Sequence, residues 1–253
     1  MRPVVLVTGA SGGIGAEFAR QLAGQDFDLV LVARSTSRLQ ELADRLQREY
    51  AVSAMVLTAD LSTPDGRDSV AEYIRGAAGL TGLVNNAGFA VPEPFVSQPF
   101  SSHQSMIDVH ITAATMFCHA ALPGMNRLAR ENANAPAPFI INVASVAAFA
   151  GAGIYAAAKL YQVNLSRRLA RDNRAAVRVQ ALCPGYTRTG FHSTEAYRDS
   201  GYADKIPGFW WLTSPYVVRT SLRQLRRPVR RVVCVPSLRY KAAVLLTKMG
   251  VRQ

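Results

Sequence analysis

The stretch VVLVTGASGGIG, residues 4–15, joins an apolar run to a cluster of glycines. The run Val4–Val7 contains no polar residue, as expected of a β-strand that is covered on both faces of a parallel sheet. Apolar residues then recur at helical spacing over residues 13–24. A glycine-rich turn between a strand and a helix lets the backbone approach a pyrophosphate, which the N–H groups of the helix N-terminus attract. The stretch therefore predicts a βα unit that binds a dinucleotide.

Short apolar runs and longer amphipathic stretches alternate along the rest of the chain. Further strands are predicted at residues 28–33, 53–59, 83–84, 139–143, 177–182 and 232–235. Helices are predicted at residues 36–49, 65–77, 101–130 and 154–172, and helical spacing resumes after Ser214 and Pro215. Repeated βα units without a strand hairpin predict an α/β fold. We expect a single doubly wound parallel sheet of about seven strands, with helices on both faces.

The composition is that of a globular chain, with 49% hydrophobic and 18% charged residues. No apolar run reaches the roughly 20 residues of a transmembrane helix, and no signal peptide is recognisable. The three cysteines have neither CxxC nor paired-histidine spacing, so they predict no disulfide framework and no metal site. Sparse cysteines are typical of a reducing compartment, and we expect a cytoplasmic protein.

The positive charge is concentrated towards the C-terminus. Residues 1–204 contain 18 basic and 17 acidic residues, whereas residues 205–253 contain 11 basic residues and no acidic one. A helix predicted over residues 238–249 would place Leu238, Ala242, Leu245, Leu246 and Met249 on one side, flanked by Arg239, Lys241 and Lys248. Further arginines precede this helix at positions 219, 223, 226, 227, 230 and 231.

Several partners are compatible with this basic region. It resembles a helix that lies on an anionic membrane surface, but it is also compatible with packing on its own domain or on a partner subunit. No motif for reading nucleic acid accompanies the charge, and we expect none to bind. The expected domain organisation is a catalytic domain over residues 1–236 and a basic amphipathic tail over residues 237–253.

The end of the second predicted strand bears on the choice between NAD and NADP. An acidic residue there would accept hydrogen bonds from the ribose 2′-hydroxyl, whereas arginine can pair with a 2′-phosphate. The strand ends in Ala33 and Arg34, and Arg38 follows one helical turn later. Arg34 is either a phosphate ligand or an ordinary solvated charge, and the pattern favours NADP(H) over NAD(H).

Tyr155 and Lys159 are four residues apart at the start of the helix that follows the fifth strand, so their side chains share one helix face. An ammonium beside a phenol favours the phenolate and lowers the phenol pKa, so Tyr155 can exchange a proton with a carbonyl or an alcohol near neutral pH. Ser145 ends the fifth strand, where open α/β sheets bind ligands, and its hydroxyl could hydrogen-bond the substrate oxygen.

Taken together, these motifs resemble the short-chain dehydrogenase/reductase family over roughly residues 4–190. The matching motifs are TGASGGIG at 8–15, DL at 60–61, NNAG at 85–88, Ser145, YAAAK at 155–159, PG at 184–185 and Thr189. The resemblance implies a Rossmann-type fold and an NADP(H)-dependent interconversion of a ketone or aldehyde and its alcohol. It also implies a homo-oligomer, dimer or tetramer.

The resemblance assigns roles residue by residue. Tyr155 would be the acid/base, Lys159 would lower its pKa and bind the nicotinamide ribose, and Ser145 would orient the carbonyl. The implied cofactor contacts are Gly9, Ser11, Gly12, Gly13, Ile14 and Gly15 in the turn, Arg34 and Arg38, Asp60 and Leu61 beside the adenine, Asn86, Ala87 and Gly88, Tyr155 and Lys159, and Pro184, Gly185, Thr187 and Thr189 on the nicotinamide side.

Two features depart from the family pattern. His110 stands where the family carries an asparagine that supports a water-linked proton relay to the lysine. It is either a substitute in that relay, able to titrate in the working range, or a core histidine. The interval of ten positions from Ser145 to Tyr155 is shorter than the usual family spacing, which bears on the placement of Ser145 and the shape of the pocket.

The segment of about residues 190–213 falls where the family has its variable substrate lid, and it is rich in aromatic residues. These aromatics indicate an apolar or bulky substrate, such as a 3-oxoacyl chain, a steroid or another lipid-like ketone or aldehyde, or they pack the lid onto its own core. The complete set of Ser145, Tyr155 and Lys159 favours a working oxidoreductase. The alternative is a cofactor-sensing or scaffold protein that His110 and the short loop disable.

Overall fold

The computed structural model describes residues 2–91, 94–131, 135–193, 203–227 and 231–250. Its strands are β1 Val4–Thr8, β2 Asp28–Ala33, β3 Ala54–Thr58, β4 Leu80–Asn85, β5 Phe139–Val143, β6 Arg178–Leu182, β7 Thr187–Arg188, β8 Leu212–Thr213 and β9 Val233–Cys234. Seven of them form one parallel sheet in the order β3-β2-β1-β4-β5-β6-β9. The short strands β7 and β8 form a separate parallel pair.

The helices cover both faces of this sheet. They are α1 Gly13–Ala23, α2 Thr36–Tyr50, α3 Pro64–Gly76, α4 Phe100–Ile107, α5 Ala114–Glu131, α6 Ala147–Ala150, α7 Gly153–Asp172, α8 Ser214–Leu225 and α9 Leu238–Gly250. Helices α1, α2 and α8 pack on one face, and α3 and α5 pack on the other together with part of α7. The prediction of a doubly wound parallel α/β fold is therefore confirmed.

The first strand shows why the apolar runs form the centre of the sheet. Val5, Leu6 and Val7 are all fully buried. Because successive side chains of a strand point to opposite faces, Val5 and Val7 pack in the core beneath α1, whereas Leu6 packs in the core on the other face. A strand covered on both sides has no position where a polar side chain would reach water.

Several elements differ from the sequence-based prediction. The helix predicted over 101–130 is divided, because a π-helical turn at Asp108–Ala113 separates α4 from α5. The fourth strand begins at Leu80, earlier than predicted, since Thr81 and Gly82 interrupt the apolar run that signals it. The pair β7–β8 and the one-turn helix α6 are too short to produce a periodic pattern.

The strand order reverses between β1 and β4, and this places a crevice between the loops that leave their carboxyl ends. Thr8 joins the two loops, because its Oγ1 accepts the N–H groups of Asn86 and Ala87, both at 3.0 Å. Asn86 completes the link by donating from Nδ2 to the carbonyls of Thr8 and Gly9, at 2.9 and 3.2 Å. These hydrogen bonds connect the loops that follow β1 and β4 and stabilise the floor of the crevice.

The basic residues near the C-terminus do not form one surface. Arg178, at the start of β6, donates to the carbonyls of Leu225 and Arg227, so the segment after α8 lies at the amino edge of the sheet. Helix α9 follows β9 and lies at the opposite, carboxyl edge, where Tyr240 is buried. Arg230, the side chains of Lys248 and Met249, and lid residues 194–202 lie outside the described residues.

Two further findings concern membrane-spanning helices and the cysteines. No helix in the described ranges has both the length and the apolar content needed to cross a bilayer. All three cysteines are buried thiols, and burial raises the pKa of each to about 12.

Candidate active site

A cavity of about 1460 Å³ opens at the carboxyl edge of the sheet. Its walls are the loops that follow β1 to β6, together with the inner face of α9. Predicted site residues that line it are Gly9, Ser11, Gly12, Gly13, Ile14, Arg34, Arg38, Asp60, Leu61, Asn86, Ala87, Gly88, His110, Ser145, Tyr155, Lys159, Pro184, Gly185, Thr187 and Thr189. Gly15 lies behind the turn instead, where its α-carbon faces the Gly9 carbonyl.

The glycine-rich turn leaves donors exposed to the cavity. Gly9 adopts a φ of 66°, which turns the chain sharply after β1. Gly12 caps α1 without any side-chain hydrogen bond, so the first N–H groups of the helix receive no side-chain acceptor. A Cβ placed on Gly12 would meet no heavy atom within 4 Å, so the space beside the helix N-terminus is open. Free donors at an open helix end fit a phosphate group.

Two arginines and one carboxylate lie at the end of the cavity next to β2 and β3. Arg34 and Arg38 are both exposed and both line the cavity. Burial raises the pKa of Asp60, but hydrogen bonds from the Ser62 backbone and side chain, and then the charge of Arg34, lower it further than burial raises it. Asp60 is therefore ionised, and its bonds to Ser62, at 2.9 and 2.7 Å, fix the turn that leads to α3.

Tyr155 and Lys159 face the same cavity from α7, as their spacing predicts. The Lys159 Nζ lies 5.6 Å from the centroid of the Tyr155 ring. Lys159 is only 4% exposed, and Nζ donates to the Val143 carbonyl at 2.7 Å and to Gln162 Oε1 at 3.1 Å. Burial lowers the pKa of Lys159 to about 7. The charge of Lys159 therefore depends on pH near neutrality, which the spacing of the two residues does not predict.

His110 is fully buried and meets the Tyr155 ring edge-on, with 5.6 Å between centroids. Its Nε2 lies 2.7 Å from the Phe89 carbonyl, which accepts, and 3.3 Å from the Phe89 N–H, which donates. The shorter contact favours the tautomer in which Nε2 carries the hydrogen and donates to the carbonyl. Burial, and then the charge of Lys159, hold the pKa of His110 well below its ordinary value. Of the two alternatives for His110, this lowered pKa favours the core histidine over a relay group that titrates in the working range.

The neutral His110 ring presents an acceptor. Because Nε2 carries the hydrogen, Nδ1 holds a lone pair, and this buried atom has no hydrogen-bond partner among the described residues. The loop after β4 lies directly against the ring, since a Cβ on Gly88 would come 2.3 Å from His110 Cε1. The glycine of the NNAG motif thus makes room for this histidine.

Ser145 lies at the start of the one-turn helix α6. Its Oγ accepts the N–H of Ala147 at 3.1 Å, which leaves the hydroxyl hydrogen to donate to another group. The chain turns at Gly151, and α7 begins at Gly153. The short interval thus consists of one helical turn and a tight connection, and Ser145 and Tyr155 still line one cavity.

Two side chains of the site, Gln162 and Tyr240, are absent from the sequence-based set. Gln162 connects Lys159 to the π-helical turn, and its only signal is its position three residues after the lysine on the same helix face. Tyr240 of α9 donates to the Trp210 carbonyl at 2.8 Å and accepts the Tyr186 N–H at 2.9 Å. These three aromatic residues form a wall of the cavity. Tyr240 belongs to the segment assigned to the basic tail.

Comparison with known proteins agrees with this geometry. A family model described as short chain dehydrogenase matches residues 3–199. Sulfoacetaldehyde reductase 2 of Chromohalobacter salexigens is 32% identical over 218 residues, which cover 82% of this chain and 83% of that protein.

Solved structures extend the similarity to the whole chain. A short-chain dehydrogenase from Sphingobium yanoikuyae in complex with NADPH has a TM-score of 0.83 and 33% identity, covering 99% of this chain and 96% of that one. The bulky-bulky ketone specific alcohol dehydrogenase from Comamonas testosteroni has a TM-score of 0.79 and 28% identity, covering 98% and 93%. Fold, motifs and relatives agree, and the chain belongs to the short-chain dehydrogenase/reductase family of oxidoreductases.

Proposed function

We propose that the protein is an NADP(H)-dependent oxidoreductase that interconverts a ketone or aldehyde and the corresponding alcohol. One observation carries this proposal: Ser145, Tyr155 and Lys159 line the same cavity as the glycine-rich turn, with the Lys159 ammonium beside the Tyr155 ring. The cavity is large enough for a dinucleotide together with a substrate.

The chemistry assigned to each side chain follows from its surroundings. The ammonium of Lys159 stabilises the Tyr155 phenolate, so Tyr155 gives a proton to the carbonyl oxygen in reduction and takes it back in oxidation. The Ser145 hydroxyl donates a hydrogen bond to the same oxygen and orients the carbonyl. A bound nicotinamide supplies or accepts the hydride.

The cofactor preference rests on the arginines at the rim. Arg34 and Arg38 offer planar, permanently charged donors where no acidic residue ends β2, which suits a ribose 2′-phosphate. The NADPH complex of the Sphingobium relative supports this preference. The open N-terminus of α1 would hold the pyrophosphate, and Asn86 to Gly88 and Pro184 to Thr189 would border the nicotinamide side.

We place the substrate among apolar or lipid-like carbonyl compounds. Tyr186, Phe191, Trp210 and Tyr240 line the cavity, and Phe191 lies 6.2 Å from the Tyr155 ring between centroids. Aromatic walls favour bulky apolar groups on either side of a carbonyl. The ketone specificity in the name of the Comamonas relative agrees with such a substrate.

The outer face of α9 suggests where the protein works. Leu238, Leu245 and Leu246 are exposed, and Arg239 and Lys241 are exposed on the two sides of this stripe. We propose that this face rests on an anionic lipid surface, because an apolar stripe with a cation on each side matches anionic headgroups above acyl chains. A two-fold contact with a second copy would bring like charges together. A homo-oligomer built through other surfaces, and a cytoplasmic location, remain expectations.

The decisive experiment follows NADPH absorbance with a panel of ketones and aldehydes of increasing size. Tyr155→Phe should reduce turnover by about 100-fold or more, because the phenol supplies general acid catalysis, and should leave NADPH binding nearly intact. Tyr161→Phe is the matched control, since this tyrosine is on the same helix but bonds Thr115 Oγ1 at 2.7 Å outside the cavity. Unchanged turnover in Tyr155→Phe would reject the assigned role. Tight NADPH binding without turnover of any compound would support the cofactor-sensing alternative.

A further inference from the structure

Gln162 forms a bridge between the lysine of the site and the π-helical turn. Its Oε1 lies 3.1 Å from Lys159 Nζ, and its Nε2 donates to the His110 carbonyl at 3.0 Å. Gln162 is 1% exposed, so water does not compete for either bond. Turns of π-helix are frequent at functional sites, and this one carries the carbonyl that Gln162 binds.

The two partners of Gln162 fix which way its amide points. The Lys159 ammonium can only donate, so it must face the amide oxygen, and the His110 carbonyl can only accept, so it must face the amide nitrogen. The amide of Gln162 supplies the required acceptor and donor from one side chain. The oxygen of the amide dipole therefore always points at the lysine.

This orientation matters because Lys159 has little other support for its charge. Its second acceptor is the Val143 carbonyl, which is neutral. None of the ion pairs between described residues includes Lys159. Burial is the largest influence on the pKa of Lys159 and lowers it, whereas the charge of Cys183 raises it. The two neutral oxygens also favour the ammonium, because they accept its hydrogen bonds.

Two titratable groups near Lys159 keep a constant charge near neutral pH. His110 on the π-helical turn is held neutral, and burial raises the pKa of Cys183, after β6, to about 12. Asp108 on the same turn is paired with Arg67 at 3.7 Å. Tyr155, one turn earlier on α7, is the group on which Lys159 acts.

We propose that Gln162 is a positioning residue that keeps the Lys159 ammonium charged and beside Tyr155, and so fixes the pH range over which Tyr155 acts as acid or base. This inference rests on the proposed function for its catalytic meaning. Its physical content, the effect of Gln162 on the charge of Lys159, does not depend on that function.

The test uses two variants with effects of opposite sign. Gln162→Leu removes the acceptor and should lower the titration midpoint of Lys159 by about 0.5–1 pH unit. Gln162→Glu replaces the amide by a carboxylate and should raise the midpoint. The chain has four lysines, so ¹³C-lysine NMR of the free protein resolves the titration, and Lys159→Met identifies the signal. The basic limb of the pH profile of kcat should move to lower pH in Gln162→Leu and to higher pH in Gln162→Glu.

The matched control is Gln180→Leu. Gln180 is equally buried, and its amide bonds Ser221 on α8, away from the cavity. This variant should leave both the midpoint and the pH profile unchanged, although it is expected to lose stability. A merely structural role for Gln162 would make the two leucine variants behave alike.

The outcomes separate this inference from the proposed function. An unchanged Lys159 midpoint in Gln162→Leu, or shifts of the same sign in both Gln162 variants, overturns the inference whatever the activity. If Gln162→Leu does not fold, a midpoint that fails to rise in Gln162→Glu overturns it. If the wild-type protein reduces no carbonyl compound, the proposed function fails, and the NMR midpoints still decide on Gln162.

Discussion

The Lys159 ammonium lies in the interior with only neutral oxygens as partners, and this gives the stability of the protein a defined pH dependence. The pKa of Lys159 is about 7 in the folded protein, whereas an unfolded chain has a lysine pKa of about 10.4. Between these values the unfolded chain binds more protons, so the free energy of unfolding rises as the pH rises from 7 to 10. Below pH 7 both states carry the charge, and folding bears the full cost of burying it.

Lys159→Met should remove this pH dependence. We expect the stability of the wild-type protein, relative to the variant, to rise by roughly 2–4 kcal/mol between pH 7 and pH 10, since one pKa unit corresponds to about 1.4 kcal/mol. Urea unfolding of both proteins at pH 7, 8.5 and 10 measures the difference, and other titrating groups cancel in it. Parallel curves for the two proteins would contradict the low pKa of Lys159.

Arg34 provides a second prediction, on cofactor choice. Arg34→Ala should weaken NADPH binding by roughly tenfold to a hundredfold, because hydrogen bonds to charged groups contribute about 1.5–3 kcal/mol, and should leave NADH binding nearly unchanged. Fluorescence titration with both dinucleotides measures the two affinities. Arg48→Ala is the control, since Arg48 is an exposed arginine on α2, the helix that follows Arg34, and does not line the cavity. Equal weakening of both cofactors would refute a role in reading the 2′-phosphate.

The loop after β4 and the π-helical turn are coupled elements, because Gly88 lies against the His110 ring. Gly88→Ala should destabilise the protein by about 1–3 kcal/mol, the usual cost of overpacking a core. Combining it with His110→Ala removes the obstructing ring and should recover part of that loss. Thermal unfolding of the two single variants and the double variant measures the coupling. If the losses in the free energy of unfolding are additive, the loop after β4 and the π-helical turn are not energetically coupled through these two residues.

Element by element, the sequence is informative where the pattern is long and the environment is uniform. Strands β1, β2, β5 and β6 are predicted because each is a mainly apolar run, and most of their residues are buried. The π-helical turn leaves no such trace, because one extra residue in a helix changes hydrogen bonding without changing composition. The inner face of α9 is missed for another reason: its outer face is also apolar, and periodicity cannot tell which of two faces is covered.

The same contrast holds for the site. The residues placed around the cavity by the motifs, such as Tyr155 and Ser145, do line it, because the carboxyl ends of parallel strands meet at one edge. The neutral state of His110 and the bridge through Gln162 depend on burial and on distances between elements. Neither quantity can be read from the spacing of residues along the chain.

At the scale of the whole molecule, the described basic residues near the C-terminus lie at two opposite edges of the sheet, and α9 combines cations with exposed apolar side chains beside the cavity. Leu246→Glu should reduce co-sedimentation with vesicles that contain phosphatidylglycerol, whereas vesicles of phosphatidylcholine alone should bind weakly to both proteins. Leu246 is 68% exposed. The control is Met55→Glu. Met55 is 39% exposed and lies on β3, the edge strand at the opposite end of the sheet from β9.

Light scattering of the same proteins measures their molar mass and tests whether this face of α9 contacts a second copy of the chain instead of lipid. If Leu246→Glu lowers the molar mass in solution, a second copy of the chain covers this face, and the lipid proposal is wrong. Equal sedimentation of the wild-type protein with both kinds of vesicle would also count against it. A point substitution is needed here because deletion of α9 would remove Tyr240 from the cavity wall as well.

Because the pKa of Lys159 lies near 7, the affinity for a ligand is also linked to the uptake of protons from solution. As the pH rises above 7, an increasing fraction of the free protein carries Lys159 uncharged. A polyanion entering the cavity favours the ammonium, so its arrival draws in a proton from the solvent. The apparent affinity for a dinucleotide should therefore decline as the solution becomes more alkaline, and the heat of association should vary with the ionisation enthalpy of the buffer.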